Sequence, residues 1–167
     1  MSVRRAVAPP LLHNVRLSYY IPAMSEDSSL RVLIYDEIVR TGEAPTLATL
    51  ARLVSAPLDD VRASLHRMHE GHMLVLQPTG EILMANPFSA VPTPFITEVE
   101  GRRWFGNCIW DGLGIIAMLH SDGHVLTSCA TSGERMELTV RGGVLTSEGV
   151  VHFALPARRW WDDIVFN

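Results

Sequence analysis

Pro87, Pro92 and Pro94 divide this chain into two stretches of different periodicity, and that division constrains the fold more than any other feature. A proline lacks the backbone N–H and fixes φ, so neither a helix interior nor a central strand runs easily through such a stretch. Before it, apolar residues recur at helical spacing. After it, short extended runs alternate with glycine turns.

In the first stretch, Leu30, Leu33, Ile34 and Ile38 share one helical face, with Ser28 or Ser29 as the expected cap and Gly42 as the stop. Thr46 is placed to cap a short helix bearing Leu47, Leu50, Ala51 and Val54 on one side. Pro57 suits the first turn of a third helix, whose stripe is Leu58, Val61, Leu65 and Met68 and whose end is Gly71. Residues 73–76 and 82–85, joined by Gln77-Pro-Thr-Gly-Glu81, read as a hairpin. Three helices followed by a hairpin is the order of a winged helix.

Past the prolines, residues 96–104 read as extended and 108–120 as helical. Strand signals follow at 124–128, 136–140, 144–146 and 150–155, separated by Gly133, Gly142-Gly143 and Gly149. The expected fold is therefore α+β. Residues 1–27 form an N-terminal arm with a short helix at 11–20, and residues 28–86 a winged-helix-like module. Residues 87–95 form a linker, and residues 96–167 a small β-rich domain with one embedded helix.

The chain has 167 residues, 47% hydrophobic and 19% charged, a balance that supports a buried core. Net charge is −4 and all fourteen basic residues are arginine, so no basic face for nucleic acid is expected. No apolar run approaches the roughly 18–20 residues that span a bilayer. The N-terminus lacks the apolar core of a secretory signal. A cytoplasmic protein with two free thiols, Cys108 and Cys129, is the resulting expectation.

A winged helix raises the possibility of DNA reading by the helix after Pro57. Its first turn carries Asp59 and Asp60, which would repel phosphates, and the wing at 77–81 has no Arg or Lys. Packing or substrate covering fits this module better. His66, His69 and His72 recur at intervals of three but have no cysteine or carboxylate pattern to complete a metal site. They read as solvated histidines near a helix C-terminus.

The chemistry concentrates at Cys108 and Asp111. Three residues is close to one helical turn, so both side chains share a face where a Trp-rich strand gives way to a helix. The helix N-terminus favours the thiolate, the form that binds soft metals and attacks electrophiles. A carboxyl shielded among Trp104, Phe105, Trp110, Ile115 and Ile116 keeps its proton longer than a solvated one and is suited to donate it. The plainer alternative is a small buried cysteine beside a helix-capping aspartate.

Three segments carry a family resemblance: Asn107-Cys-Ile-Trp-Asp-Gly-Leu-Gly-Ile115; Thr127-Ser-Cys-Ala-Thr-Ser-Gly133 with Leu138-Thr-Val140; and Val151-His-Phe-Ala-Leu-Pro156 with Arg159-Trp-Trp-Asp-Asp-Ile164. Together they resemble the organomercurial (alkylmercury) lyase family over roughly residues 28–167. The resemblance implies protonolysis of a carbon–mercury bond in a small organomercurial, with mercury as substrate and product and no separate cofactor. By the same resemblance Cys108 is the first mercury ligand, Asp111 the proton donor, and Cys129 a structural cysteine.

The resemblance also implies a second catalytic cysteine soon after the Trp-Trp-Asp-Asp-Ile segment. The sequence ends at Asn167, at or just before that position, so two expectations stand: a truncated form of a longer lyase, or a short relative with altered chemistry. Cys129 is the one other thiol available as a mercury ligand, and Asp162 and Asp163 are harder donors that suit mercury poorly. Two further readings remain open. One is a lyase-like enzyme acting on another soft electrophile through Cys108 and Asp111. The other is a winged-helix regulator with a metal- or ligand-sensing β-rich domain.

Overall fold

The structure, a computed structural model, describes residues 26–165; the arm helix expected at 11–20 lies outside the described residues. Three helices open the described chain: α1 (Glu26–Thr41), α2 (Leu47–Val54) and α3 (Leu58–Glu70). Helix α1 starts ahead of the expected Ser28/Ser29 cap. Glu26 and Asp27 occupy its first turn, where negative charge suits the helix dipole. Asp27 also grips Arg67 of α3 at 2.7 Å. Thr46 caps α2 as expected, accepting the Thr49 N–H at 3.1 Å. Pro57 and Gly71 bound α3.

The strands are β1 (Val75–Leu76), β2 (Ile82–Ala85), β3 (Phe88–Ser89), β4 (Ile96–Val99), β5 (Arg102–Gly106), β6 (Gly123–Ser128), β7 (Arg135–Arg141) and β8 (Val144–Leu145). They form one antiparallel sheet in the order β1-β2-β3-β5-β4-β6-β7-β8. Strand β3 lies within the proline-rich stretch and pairs with both β2 and β5, so the sheet runs from the hairpin into the C-terminal strands without a break. Pro87 directly precedes the pair Phe88–Ser89, and Pro92 and Pro94 fall after it, so none of the three removes a ladder bond.

The embedded helix, α4 (Ile109–Met118), packs on β4, β5 and β6. The mixed α+β class expected from periodicity is the observed one. A single core joins the two stretches: Ile34, Ile38, Leu50 and Met68 from the helices meet Phe88, Trp104, Ile115 and Val125 from the sheet and α4. Trp104 is buried, and its indole N–H donates to Ile38 O of α1 at 2.9 Å. Burial of that ring therefore satisfies its one polar atom.

The strand expected at 150–155 does not form. Val150 is 94% exposed, and residues 150–156 have no ladder partner. Phe153 and Leu155 spend their apolar surface on the wall of a cavity instead, and Pro156 leads into a 3-10 helix (Ala157–Asp162). Alternating apolar residues signal burial on one side, and here a cavity supplies that side in place of a neighbouring strand.

Candidate active site

Strand β5 delivers the chain to α4 through Gly106-Asn107-Cys108. Two glycines let the first turn of α4 lie directly on the sheet. A Cβ on Gly106 would sit 2.7 Å from Gly112 N, and one on Gly112 would sit 2.9 Å from a Val125 methyl. The fully buried Thr97 hydroxyl donates to Gly112 O at 3.1 Å and holds that turn down. Cys108 takes the N-cap position in extended backbone, φ −145, and its carbonyl accepts the Gly112 N–H at 3.0 Å. With the cap at 108, Asp111 falls one turn along. The Cys108 thiol donates to Asp111 Oδ2 at 3.7 Å, so the shared face expected from spacing is a direct contact.

The pair opens onto a cavity of about 470 Å³. Its walls are mostly apolar: Phe95, Ile109, Trp110, Phe153, Leu155 and Trp160 stand around the thiol and carboxyl. Trp110 and Phe153 meet edge to face at 6.3 Å, and Phe153 meets Trp160 at 5.3 Å. Trp160 Nε1–H donates to Leu155 O at 3.0 Å, folding the chain after β8 against the mouth of the site. Such a site excludes water from one side of the couple and accepts a small apolar group.

Burial sets the electrostatics. It pushes the Cys108 thiol above the ordinary range; the backbone N–H groups of Asp111 and Trp110 oppose that, and the Asp111 charge adds to it. The expectation of a thiolate favoured by the helix end is therefore corrected: the amides act in the expected direction, and desolvation outweighs them. Burial also raises Asp111, against the Asn107 amide and the Cys108 thiol, which favour the charged form. The expectation of a carboxyl that holds its proton stands in direction.

Asn107 was quoted in the sequence only as part of a motif, yet it ties the site together. Its amide donates to Asn86 Oδ1 at 2.9 Å and to Phe88 O at 3.4 Å. Its own Oδ1 is buried with no partner, a condition that costs about 1–3 kcal/mol. Asn86, also in the cavity wall, has its backbone carbonyl held by Tyr35 Oη–H at 2.7 Å. Gly112, His152 and Phe153 were likewise quoted only within motifs, and Gly106 and Thr97 were given no role; His152 and Phe153 line the cavity. The glycine pair flanking Asn107-Cys108 was the available signal, since close backbone approach needs residues without Cβ.

Cys129 follows β6 and is not in the cavity wall. Its N–H donates to Glu134 O at 2.8 Å, and the Gly133 N–H returns to its carbonyl at 2.8 Å, closing a turn. There the Ser132 hydroxyl and the amides of Ser132 and Thr131 draw its thiol below the ordinary range. Register puts the ends of β5 and β6 at one end of the sheet, with β4 between them. The two strand spacings between them come to about 9.5 Å. Both cysteines are free thiols. Asp162 is paired with Arg159 at 2.8 Å. Of the three histidines near the end of α3, His69 meets Leu74 O at 3.3 Å and His72 stacks on Trp161. No group of three or more His, Cys, Asp or Glu among the described residues has the arrangement of a metal centre.

The mixed α+β fold thus presents a thiol hydrogen-bonded to a carboxyl in a mostly apolar cavity. Residues 88–166 match the family model for alkylmercury lyase. An alkylmercury lyase of Staphylococcus epidermidis is 29% identical over 103 residues, covering 58% of this chain and 48% of that protein. The mercury-bound crystal structure of MerB2 superposes with a TM-score of 0.60 at 26% identity, covering 74% of this chain and 60% of that one. The chain thus spans about half the length of the curated relative it matches.

Proposed function

We propose that this chain cleaves a carbon–mercury bond by protonolysis, with Cys108 taking the mercury and Asp111 delivering the proton. The observation that carries this reading is the 3.7 Å contact between the Cys108 thiol and Asp111 Oδ2 inside an apolar cavity. An organomercurial R–Hg–X exchanges X for the Cys108 sulfur. The thiol proton passes to Asp111, and X leaves as the anion. Mercury is soft and prefers sulfur over the carboxylate oxygens around it.

The second step returns that proton. A further thiolate on mercury raises the electron density on carbon. The Hg–C electron pair then takes the Asp111 proton, giving R–H, Hg(II) on sulfur and a regenerated carboxylate. Cys108 is the one cysteine lining the cavity among the described residues. In this proposal a small thiol from solution can fill the second place. The apolar wall suits R, and the raised proton affinity of Asp111 suits a donor that must be loaded before carbon departs. Among the described residues no helix is long and apolar enough to cross a membrane.

The test is incubation of the purified chain with phenylmercury and a small thiol, following bound mercury and released benzene separately. Cys108→Ser abolishes tight uptake at the site. Asp111→Asn keeps uptake and loses benzene release. Wild-type protein that neither takes up phenylmercury through Cys108 nor releases benzene sinks the reading.

A further inference from the structure

Asn107 is the residue between the sheet and the reactive thiol: its amide favours the charged Asp111 carboxyl and also hydrogen-bonds Asn86 and Phe88 at β3. Its Nδ2 donates to Asn86 Oδ1 at 2.9 Å, and the Asn86 carbonyl accepts Tyr35 Oη–H at 2.7 Å. Tyr35 lies on α1, 51 residues before Asn86, and its ring packs 6.2 Å from Phe88. The Cys108 side chain makes no capping hydrogen bond to the start of α4. The Asn107 side chain helps fix the approach to α4, beside the Thr93 hydroxyl, which donates to Gly106 O at 2.6 Å. Its second polar atom, Oδ1, is one of two buried side-chain N or O atoms among the described residues without a partner. An amide half-satisfied beside a reactive pair is the pattern of a group retained for placement.

We propose that Asn86 and Asn107 form a positioning pair, anchored by Tyr35, that holds the β5–α4 junction so that the Cys108 thiol and the Asp111 carboxyl stay in contact. Both residues line the cavity, and in this proposal they act through Cys108 and Asp111. Helix α1 thereby becomes part of the catalytic apparatus, although it contributes no reacting group. The catalytic half of this inference rests on the lyase reading; the positional half does not.

The experiment has two readouts on the full-length chain. The first is the infrared S–H stretch of Cys108 in a Cys129→Ser background, which reports the thiol's hydrogen bond without substrate. Asp111→Asn identifies the band's response to its acceptor. Asn107→Ala and Asn86→Ala should each move the band as loss of that hydrogen bond does. The second readout is benzene release from phenylmercury. Each substitution should lower kcat on the order of tenfold to a hundredfold with KM little changed, the loss expected from a misplaced reacting group. The double variant should lose no more than the worse single one, because the two amides act as a unit.

Thermal unfolding checks that the variants fold. Tyr35→Phe, which keeps the ring and removes only the donor, serves as the milder variant and should give a severalfold loss of kcat. A band unmoved by both asparagine substitutions overturns the proposal, as does an unchanged kcat in protein that does release benzene. If wild-type protein releases no benzene, the lyase reading fails and the infrared band still decides the positional claim.

Discussion

His72 and Trp161 stack face to face, their ring centroids 4.1 Å apart and their planes 6° from parallel. His72 follows α3 in the left-handed region, φ 58, just past Gly71. Trp161 belongs to the 3-10 helix whose preceding residue, Trp160, walls the cavity. Through this stack the helical half of the chain holds the segment that covers the Cys108–Asp111 pair.

Removing either ring should therefore loosen the cover more than the fold. Stacked aromatic pairs contribute about 0.5–1.5 kcal/mol beyond area burial. Trp161→Ala and His72→Ala are expected to cost about that much in denaturant unfolding. Both should raise KM for phenylmercury severalfold while kcat changes less. Steady-state kinetics of benzene release checks this; KM unchanged in both variants would remove the covering role.

The two thiols should ionise in the opposite order to a simple helix-end rule. Burial raises Cys108, whereas Ser132 and its neighbouring amides lower Cys129. Alkylation by iodoacetamide, followed by peptide mass spectrometry across pH, should label Cys129 with a midpoint below that of an ordinary thiol, about 8.5. Cys108 should label above it. In stability terms the Cys108 contribution is full below the ordinary thiol value and is lost as pH rises through its folded value. Equal midpoints, or Cys108 labelling first, would contradict the assignment.

The same comparison shows what the sequence could and could not convey. The stripe Leu30-Leu33-Ile34-Ile38, the Thr46 cap and the Pro57–Gly71 bounds are local signals, and all three helices follow them. The Cys108–Asp111 contact was legible because helical spacing dictates it. The loss of the strand at 150–155 was not, because alternation records that one side is buried and says nothing of what buries it. Asn86 and Asn107 lie 21 residues apart, and Tyr35 is 51 from Asn86. Those bonds depend on β3 bridging two parts of the sheet across prolines that read as a break. The direction of the Cys108 shift was missed for a related reason: burial outweighs the helix-end amides, and the cavity beside the thiol is walled in part by Phe153 and Trp160, distant in sequence.

Asp111→Asn should change stability in a pH-dependent way. Burial raises the proton affinity of Asp111, so the folded protein keeps a proton that the unfolded chain releases. Its stabilising contribution is full below about pH 4, the ordinary aspartate value, and is lost as pH rises through the folded value. Asparagine carries no such penalty. The variant's Tm should therefore gain on wild type between about pH 4 and neutrality. A Tm difference that stays flat over that range would mean the carboxyl pays no desolvation cost in the folded state.

Gly112→Ala sets two effects against each other. Helix propensity alone favours alanine over glycine by about 1 kcal/mol. The added Cβ would lie 2.9 and 3.1 Å from the Val125 methyls and 3.2 Å from Thr97 Oγ1. Val125 and Thr97 are fully buried, so neither can yield cheaply. Overpacking of this kind costs about 1–3 kcal/mol, and it should win. Gly114, in the same helix, is the control: its Cβ would meet only Pro87 Cβ at an ordinary 3.6 Å, so Gly114→Ala should be neutral or stabilising. Val125→Ala should recover part of the Gly112→Ala loss by opening the space the new methyl needs. Because Gly112 N–H is bonded to the Cys108 carbonyl, lifting this turn should also separate the thiol from Asp111. Benzene release by Gly112→Ala should then fall even at temperatures where the variant is fully folded. Equal stability of the two alanine variants in urea unfolding would show that the first turn of α4 is not held against the sheet as tightly as these distances require.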